Sequence, residues 1–174
     1  MNGDTVTTIV VIFLAGILIF IFPLMTVADR NDDIAHQLLI SETERFTQEI
    51  ATTGTLTNDM LDAYVKKISS SKNYYIVDFD CQIFDDNPTK KVTQVDSTKI
   101  GEGASYHIYT ASIDKTLEGE GVKYFKKGDI VTVKVYNSNK TLPQILRGIF
   151  YGNDEEAGNL ATQATATVTK DGGK

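Results

Sequence analysis

The residues of this chain that could do chemistry are few, and the densest group is a set of four aspartates. Asp78 and Asp80 alternate with apolar residues, and Asp85 and Asp86 follow just before Asn87-Pro88. Hard cations take several oxygen ligands that converge from a loop, so these carboxylates are the candidate metal ligands. A calcium loop of the EF-hand type also needs a glycine at its sixth position and a glutamate at its twelfth, which this segment lacks. A solvated strand face followed by a turn accounts for the same four residues.

The histidines and the cysteine form no recognisable catalytic set. The two histidines, His36 and His107, have no Ser, Cys or Asp neighbour at the spacing of a catalytic template. The single cysteine, Cys81, can form no disulfide within the chain, and on the apolar face of a strand it would behave as a small hydrophobic residue. No glycine-rich phosphate loop is present. We therefore expect a protein that is not an enzyme and has no cofactor.

The charge of the chain argues against nucleic acid as a partner. Lys and Arg number 17 against 23 Asp and Glu, which gives a net charge of −6. Surfaces that bind nucleic acid need clustered basic residues to neutralise phosphates. The densest basic positions here are the pairs Lys90-Lys91 and Lys126-Lys127 beside turns, a pattern typical of solvated loops.

The elements that would position these residues begin with a long apolar segment. Residues 5–28 include no charged residue, and a helix from Val6 to Ala28 would reach roughly 35 Å, more than the hydrocarbon core of about 30 Å. A cleaved secretory signal is the alternative, but it needs a basic start and a shorter apolar run. The first 29 residues contain no Lys or Arg, and Thr26-Val27-Ala28 matches a cleavage site only weakly. We predict an N-terminal transmembrane helix over residues 1–28.

This helix is expected to continue beyond the membrane. No Gly or Pro occurs between Arg30 and Gly54, and apolar residues recur at helical intervals, which predicts a helical stalk over residues 29–51. Pro23 should kink the membrane segment because proline lacks the backbone N–H. The remaining residues, 52–174, are predicted to form one soluble domain.

Within that domain, the pattern predicts an α+β fold with an antiparallel sheet of about four strands packed on helices. Thr57 would cap a helix that ends near Ser69, and Thr141 would start another helix with Pro143 in its first turn. Tyr75, Val77, Phe79, Cys81 and Ile83 would share the inward face of the first strand. Alternating apolar and polar residues predict four strands, at residues 74–84, 104–113, 130–136 and 161–169.

In layout, the whole chain resembles the type IV pilin family, and more closely the small single-span, TadE-like minor pilins of Gram-positive bacteria found with tight-adherence or type II-like secretion systems. The resemblance is based on a hydrophobic helix with a proline near its membrane exit, a continuous stalk and a small α+β domain. It also includes these stretches: Asp86-Asn87-Pro88, Lys99-Ile100-Gly101-Glu102, Lys127-Gly128-Asp129-Ile130-Val131-Thr132-Val133 and Leu146-Arg147-Gly148-Ile149-Phe150-Tyr151-Gly152-Asn153-Asp154.

The chain departs from the pilin pattern at its start. Pilin precursors have a basic leader that ends in glycine, and the mature chain has a glutamate at its fifth position. Here only Met1-Asn2-Gly3 precedes Asp4, and cleavage after Gly3 would make Thr8 the fifth residue. Asp4 is then the acid nearest to the new terminus.

The resemblance implies a structural subunit of a surface filament or of a secretion or adhesion apparatus. Its partners would be membrane lipid and like or related pilin subunits, bound through the N-terminal helix. We expect Asp4, Gly16 and Pro23 to contribute to assembly, since small residues let helices approach closely in a bilayer. The acidic flank after the helix favours an extracellular domain on a single-pass anchor. The alternative function is a membrane-anchored extracellular ligand-binding or adhesive module, dependent on a divalent metal if the aspartates bind one.

Overall fold

A computed structural model of the chain describes residues 3–71, 74–84, 105–140 and 160–173, together with Gln144, Ile145 and Gly148. The chain divides into two compact units, Met1–Gln37 with Lys140–Glu156, and Leu38–Asn139 with Ala157–Lys174. The helices and strands, in chain order, are α1 (Gly3–Thr53), β1 (Thr55–Thr57), α2 (Asn58–Ile68), a 3₁₀ turn (Ser69–Ser71), β2 (Tyr75–Phe84), β3 (Ser105–Tyr109), α3 (Thr110–Glu120), β4 (Val122–Tyr124), β5 (Ile130–Asn137) and β6 (Leu160–Thr167).

The long first helix predicted from the sequence is confirmed, and α1 continues through Pro23 without interruption. Among the described residues it is the one helix that is long and apolar enough to cross a membrane, and its most apolar 18-residue stretch is entirely unburied. The sequence explains the helix, since no Gly or Pro follows Pro23 until Gly54.

The larger sheet is antiparallel and contains the four predicted strands, in the order β3-β2-β5-β6. Strand β2 lies at its centre and pairs with β5 from Tyr75 opposite Asn137 to Gln82 opposite Ile130. The predicted α+β fold, with an antiparallel sheet packed on helices, is therefore confirmed.

The core lies on one face of this sheet. Phe79 and Cys81 are buried with partly buried Tyr75, Val77 and Ile83 beside them, as the alternation of β2 predicts. Val131, Val133 and Val135 of β5 point to the same face and are fully buried. Three helices contribute the opposing side chains: Leu39, Phe46 and Ile50 from α1, Tyr64 and Ile68 from α2, and Ile113 and Leu117 from α3.

The second half of α1 is thus part of the packed unit, which begins at Leu38. The sequence assigns residues 29–51 to a stalk, yet Phe46 stacks on Tyr64 with ring centroids 4.2 Å apart. Polar residues of this segment are also buried and have partners. The Thr43 hydroxyl donates to the Leu39 carbonyl at 2.7 Å and lies 2.7 Å from the Tyr64 hydroxyl, which therefore acts as the donor in that pair.

The end of α1 is joined to the C-terminal tail by backbone hydrogen bonds. Thr169 donates its N–H to the Ala51 carbonyl at 2.8 Å, which satisfies an acceptor that the helix end leaves open. Gly54 follows in the left-handed region with φ 68°, and a Cβ there would collide with the carbonyl oxygen of Lys170 and the backbone of Gly172. Glycine is therefore required where the two segments cross.

The start of α2 follows the predicted capping pattern. Thr57 has an extended backbone, and its hydroxyl accepts a hydrogen bond from the Met60 N–H at 3.2 Å. Lys66 and Lys67 lie in the last turn, where positive charge suits the helix dipole.

One predicted strand is wrong in its second half. The sequence predicts a strand over residues 104–113, but β3 ends at Tyr109 and α3 begins at Thr110. The Thr110 hydroxyl accepts from the Phe79 N–H at 2.9 Å and donates to the Asp78 carboxylate at 3.2 Å. These contacts with β2 stop the strand, and the helix then carries Ile113 and Leu117 into the core.

Two short strands, β1 and β4, were not predicted. They pair antiparallel, with Leu56 opposite Lys123. Three residues are too few to show an alternating pattern. Of the helix predicted after Asn139, Gln144, Ile145 and Gly148 are helical, whereas Thr141 and Pro143 lie outside the described residues.

Candidate functional site

The first half of α1 is the most distinctive surface of the described chain, because most of its large apolar side chains are exposed. Ile12, Phe13, Ile19 and Phe20 are 66–79% exposed. Exposed apolar surface of this extent marks contact with lipid or with another apolar surface, since water would penalise it. The helix therefore presents a candidate surface for insertion or assembly.

The three residues proposed for assembly all lie on this helix. Asp4 lies in the first turn, where a carboxylate suits the positive end of the helix dipole, and Thr8 donates its hydroxyl proton to the Asp4 carbonyl at 2.7 Å. A Cβ added at Gly16 would meet no heavy atom within 4 Å. Pro23 is exposed within the helix. The three are about two turns or more apart and form no common cluster.

The aspartates proposed for a metal are occupied by protein partners where the structure describes them. Asp80 accepts from Lys134 Nζ at 2.9 Å and is 2.7 Å from His107 Nδ1, and Asp78 accepts from Thr110. Asp85 and Asp86 lie outside the described residues. Among the described side chains, no three His, Cys, Asp or Glu residues come together as metal ligands.

The Asp80 ion-pair cluster crosses three neighbouring strands on the outer face of the sheet. Hydrogen bonds from His107 and then from Lys134 lower the pKa of the Asp80 carboxyl, and the same contact raises the pKa of Lys134. The sequence identifies His107 as a partly exposed strand residue but gives no sign of its partners. The strand register explains how they meet. Tyr109 and Thr132 lie directly opposite Asp80, so His107 and Lys134 are each two residues away on the neighbouring strands and reach Asp80 diagonally.

Cys81 lies in the core, as the alternation of β2 predicts. Its side chain is fully buried, and this burial raises the pKa of the thiol to about 12. The thiolate is the reactive form of cysteine, so this thiol is inert at neutral pH.

A groove of about 720 Å³ lies between the second half of α1 and strand β6. Its helix wall is polar, with Ser41, Glu44, Arg45, Thr47 and Gln48. The strand lines it with residues 163–166, of which Ala164 and Ala166 lie on the helix-covered face. Nothing in the sequence of either segment predicts the groove, because it depends on how the helix crosses the sheet.

No family model, no curated protein and no solved structure matches this chain. The apolar half of α1, the Asp80 ion-pair cluster and the groove are therefore the features from which a function can be inferred.

Proposed function

We propose that the chain is a pilin-like structural subunit that is anchored by the first half of α1 and assembles through it. The observation that carries the proposal is the exposed apolar surface of this segment, in a helix whose second half belongs to a packed α+β unit. Lipid covers that surface before assembly, and the helices of neighbouring subunits cover it afterwards.

The contrast along α1 supports a structural role for the helix. A helix that served only as a membrane anchor could be joined to its domain by any linker. Here Phe46 and Ile50 fix the end of the same helix in the core. The apolar segment and these core residues therefore belong to one helix, Gly3–Thr53, with no separate linker between them, a layout that suits a subunit of a filament or a secretion apparatus.

We place the domain outside the cell, on a single-pass anchor that is retained. Residues 29–43, which follow the apolar segment, contain one basic residue, Arg30, so this flank has little of the positive charge that marks a cytoplasmic side. Nucleic acid is an unfavourable partner, because a chain with a net charge of −6 has no excess of basic residues to neutralise phosphates.

Gly16 offers a direct test of assembly through the helix. Because a Cβ at this position meets nothing within 4 Å, Gly16→Leu should leave the subunit folded and inserted. We expect it to reduce helix association by about tenfold, since a large side chain prevents the close approach that glycine allows. Association is measured by chemical cross-linking in intact membranes and by recovery of the protein in sheared surface filaments.

The matched control is Ile19→Leu, which changes the shape of a 69% exposed side chain three residues further along without changing its volume or polarity. This variant should assemble like the wild type. Equal assembly of the Gly16→Leu variant and the wild type, at equal membrane levels, would contradict assembly through this surface.

A further inference from the structure

We infer a second self-association surface at the edge of the sheet, where β6 of one copy pairs with β3 of another and Tyr106 of that copy enters the groove beside α1. This contact is separate from the apolar half of α1 and does not depend on filament formation. Its partner is a second copy of this chain.

Strand β6 has the features of an edge that pairs. It is the last strand of the described sheet and pairs with β5 alone. Its eight residues include no charge, no proline and no glycine. Proteins normally protect long edges with charges, prolines or bulges, because unpaired N–H and C=O groups recruit other strands. The one irregularity of β6 lies near its start, opposite Val135 and Tyr136.

The direction of the strands identifies β3 as the partner. The sheet has four strands and every pairing is antiparallel, so its two edge strands run in opposite directions. A second copy placed beside the first, without being turned over, therefore presents β3 antiparallel to β6. Pairing β6 with β6 would instead require one copy to be turned end over end. Sheet twist of about 20–25° per strand rotates each added copy, which limits growth in a flat membrane.

The two edges also fit each other in size. Tyr106 of β3 lies opposite Ile83, which packs towards the core, so Tyr106 points to the helix-covered face although it is 50% exposed. On the same face of β6 stand Ala164 and Ala166, whose small side chains leave the groove open. A copy placed beside β6 therefore directs a tyrosine ring towards a space floored by alanines.

The chemistry of the groove suits tyrosine in particular. The ring would pack over the alanine side chains while its hydroxyl reaches the polar wall formed by Glu44, Arg45 and Gln48. On the outer face, Gln163, Thr165 and Thr167 would lie beside Ser105, His107 and Tyr109, which brings no like charges together.

Cysteine cross-linking of the full-length chain in membranes tests this contact. Native Cys81 is fully buried with a pKa of about 12, so an introduced surface cysteine reacts alone. A chain with Ser105→Cys and one tag is expressed together with a chain with a different tag and Gln163→Cys, Thr165→Cys or Thr167→Cys. We expect the mixed disulfide dimer to exceed either same-tag dimer by about tenfold at one of the three positions.

Three further substitutions separate the contact from chance collision and from the helix contact. Tyr106→Ala in the Ser105→Cys chain should lower the mixed dimer by about tenfold, the loss typical of truncating an aromatic anchor. Tyr74→Ala removes the same ring from a 72% exposed position outside the proposed contact and should leave the mixed dimer unchanged. Gly16→Leu should also leave it unchanged, so failure here and failure of the helix contact are distinguishable.

Three results would overturn the inference. Same-tag dimers through β6 would show β6–β6 pairing, and equal amounts of all dimers would show collision alone. A Tyr106→Ala chain that cross-links like its parent would show that the groove takes no tyrosine.

Discussion

The two halves of α1 belong to one helix but differ in how their apolar side chains are covered. The first half exposes its apolar side chains, with Phe20 at 79% exposure, whereas the second half buries Leu39, Phe46 and Ile50 almost completely. The second half also buries polar groups, including Thr43 and Thr47, each hydrogen-bonded to a carbonyl one turn earlier. Helical conformation alone therefore does not decide burial. The second half is stabilised by its own domain, whereas the first half has the length and apolar character of a membrane span.

The largest effect that sharpens this comparison is expected from paired phenylalanine truncations. Phe46→Ala removes the ring that stacks on Tyr64 and should destabilise the domain by about 3–5 kcal/mol, as core phenylalanine truncations do. Phe20→Ala, in the same helix, should leave the unfolding free energy of the domain unchanged. Urea unfolding in detergent, followed by tyrosine fluorescence, measures both. A loss of similar size for the two variants would contradict the division of α1.

The second prediction concerns the crossing of α1 and the C-terminal tail. Gly54→Ala places a Cβ in the left-handed region and against the backbone of Lys170 and Gly172, so it should cost about 2 kcal/mol or more. Gly119→Ala is the control, since a Cβ added to this helical glycine of α3 would meet nothing within 4 Å. That variant should be more stable by about 0.5–1 kcal/mol. The contradicting outcome is a tolerated Gly54→Ala.

The third prediction concerns the buried hydroxyl pair of the second half. Tyr64→Phe removes the hydrogen bond to Thr43 and should cost about 1 kcal/mol, because Thr43 keeps its bond to the Leu39 carbonyl. Burial raises the pKa of Tyr64 to about 12, so the phenol stays a donor at neutral pH. Thr8→Val, which removes a hydroxyl from the exposed first half, should leave domain stability unchanged. An unchanged free energy of unfolding for Tyr64→Phe would contradict the role of this pair.

The smallest expected effect is a dependence on pH through Glu42. Its hydrogen bond from Lys67, and then that from Arg45, lower the pKa of this carboxyl below 4.5. A lowered pKa in the folded state contributes stability that is present above the unfolded value and is lost as pH falls through the folded value. Glu42→Gln should therefore lose less stability than the wild type as the pH falls from about 5 to 3. The melting temperatures of both proteins, measured across this pH range, check this. An equal fall in melting temperature for the two proteins would show that the ion pair contributes nothing.

Much of the fold could be predicted because its signals are local. The apolar run and the absence of Gly or Pro predict α1, the Thr57 cap predicts α2, and alternation predicts the inward face of β2 with Cys81 upon it. The end of β3 could not be predicted in this way. Its residues continue a strand-like composition to Ile113, and the turn at Thr110 depends on contacts with Phe79 and Asp78 more than 30 positions earlier.

The candidate sites also include local features, which the sequence shows, and features that depend on contacts between distant residues, which it does not show. Gly16 and Pro23 can be identified along one helix, but the sequence does not place Lys134 beside Asp80, because strand register is not a local property. The groove beside β6 was missed for the same reason. Its walls come from segments more than 110 positions apart, and only the packing of α1 across the sheet brings them together.

Whether the protein keeps its apolar segment can be read from the intact mass of the full-length protein extracted from membranes. We predict a mass that includes residues 6–28, either from Met1 or from Asp4 after removal of Met1 to Gly3. A mass that begins after Ala28 would show that the apolar segment is removed as a signal, and it would contradict both the anchor and assembly through it.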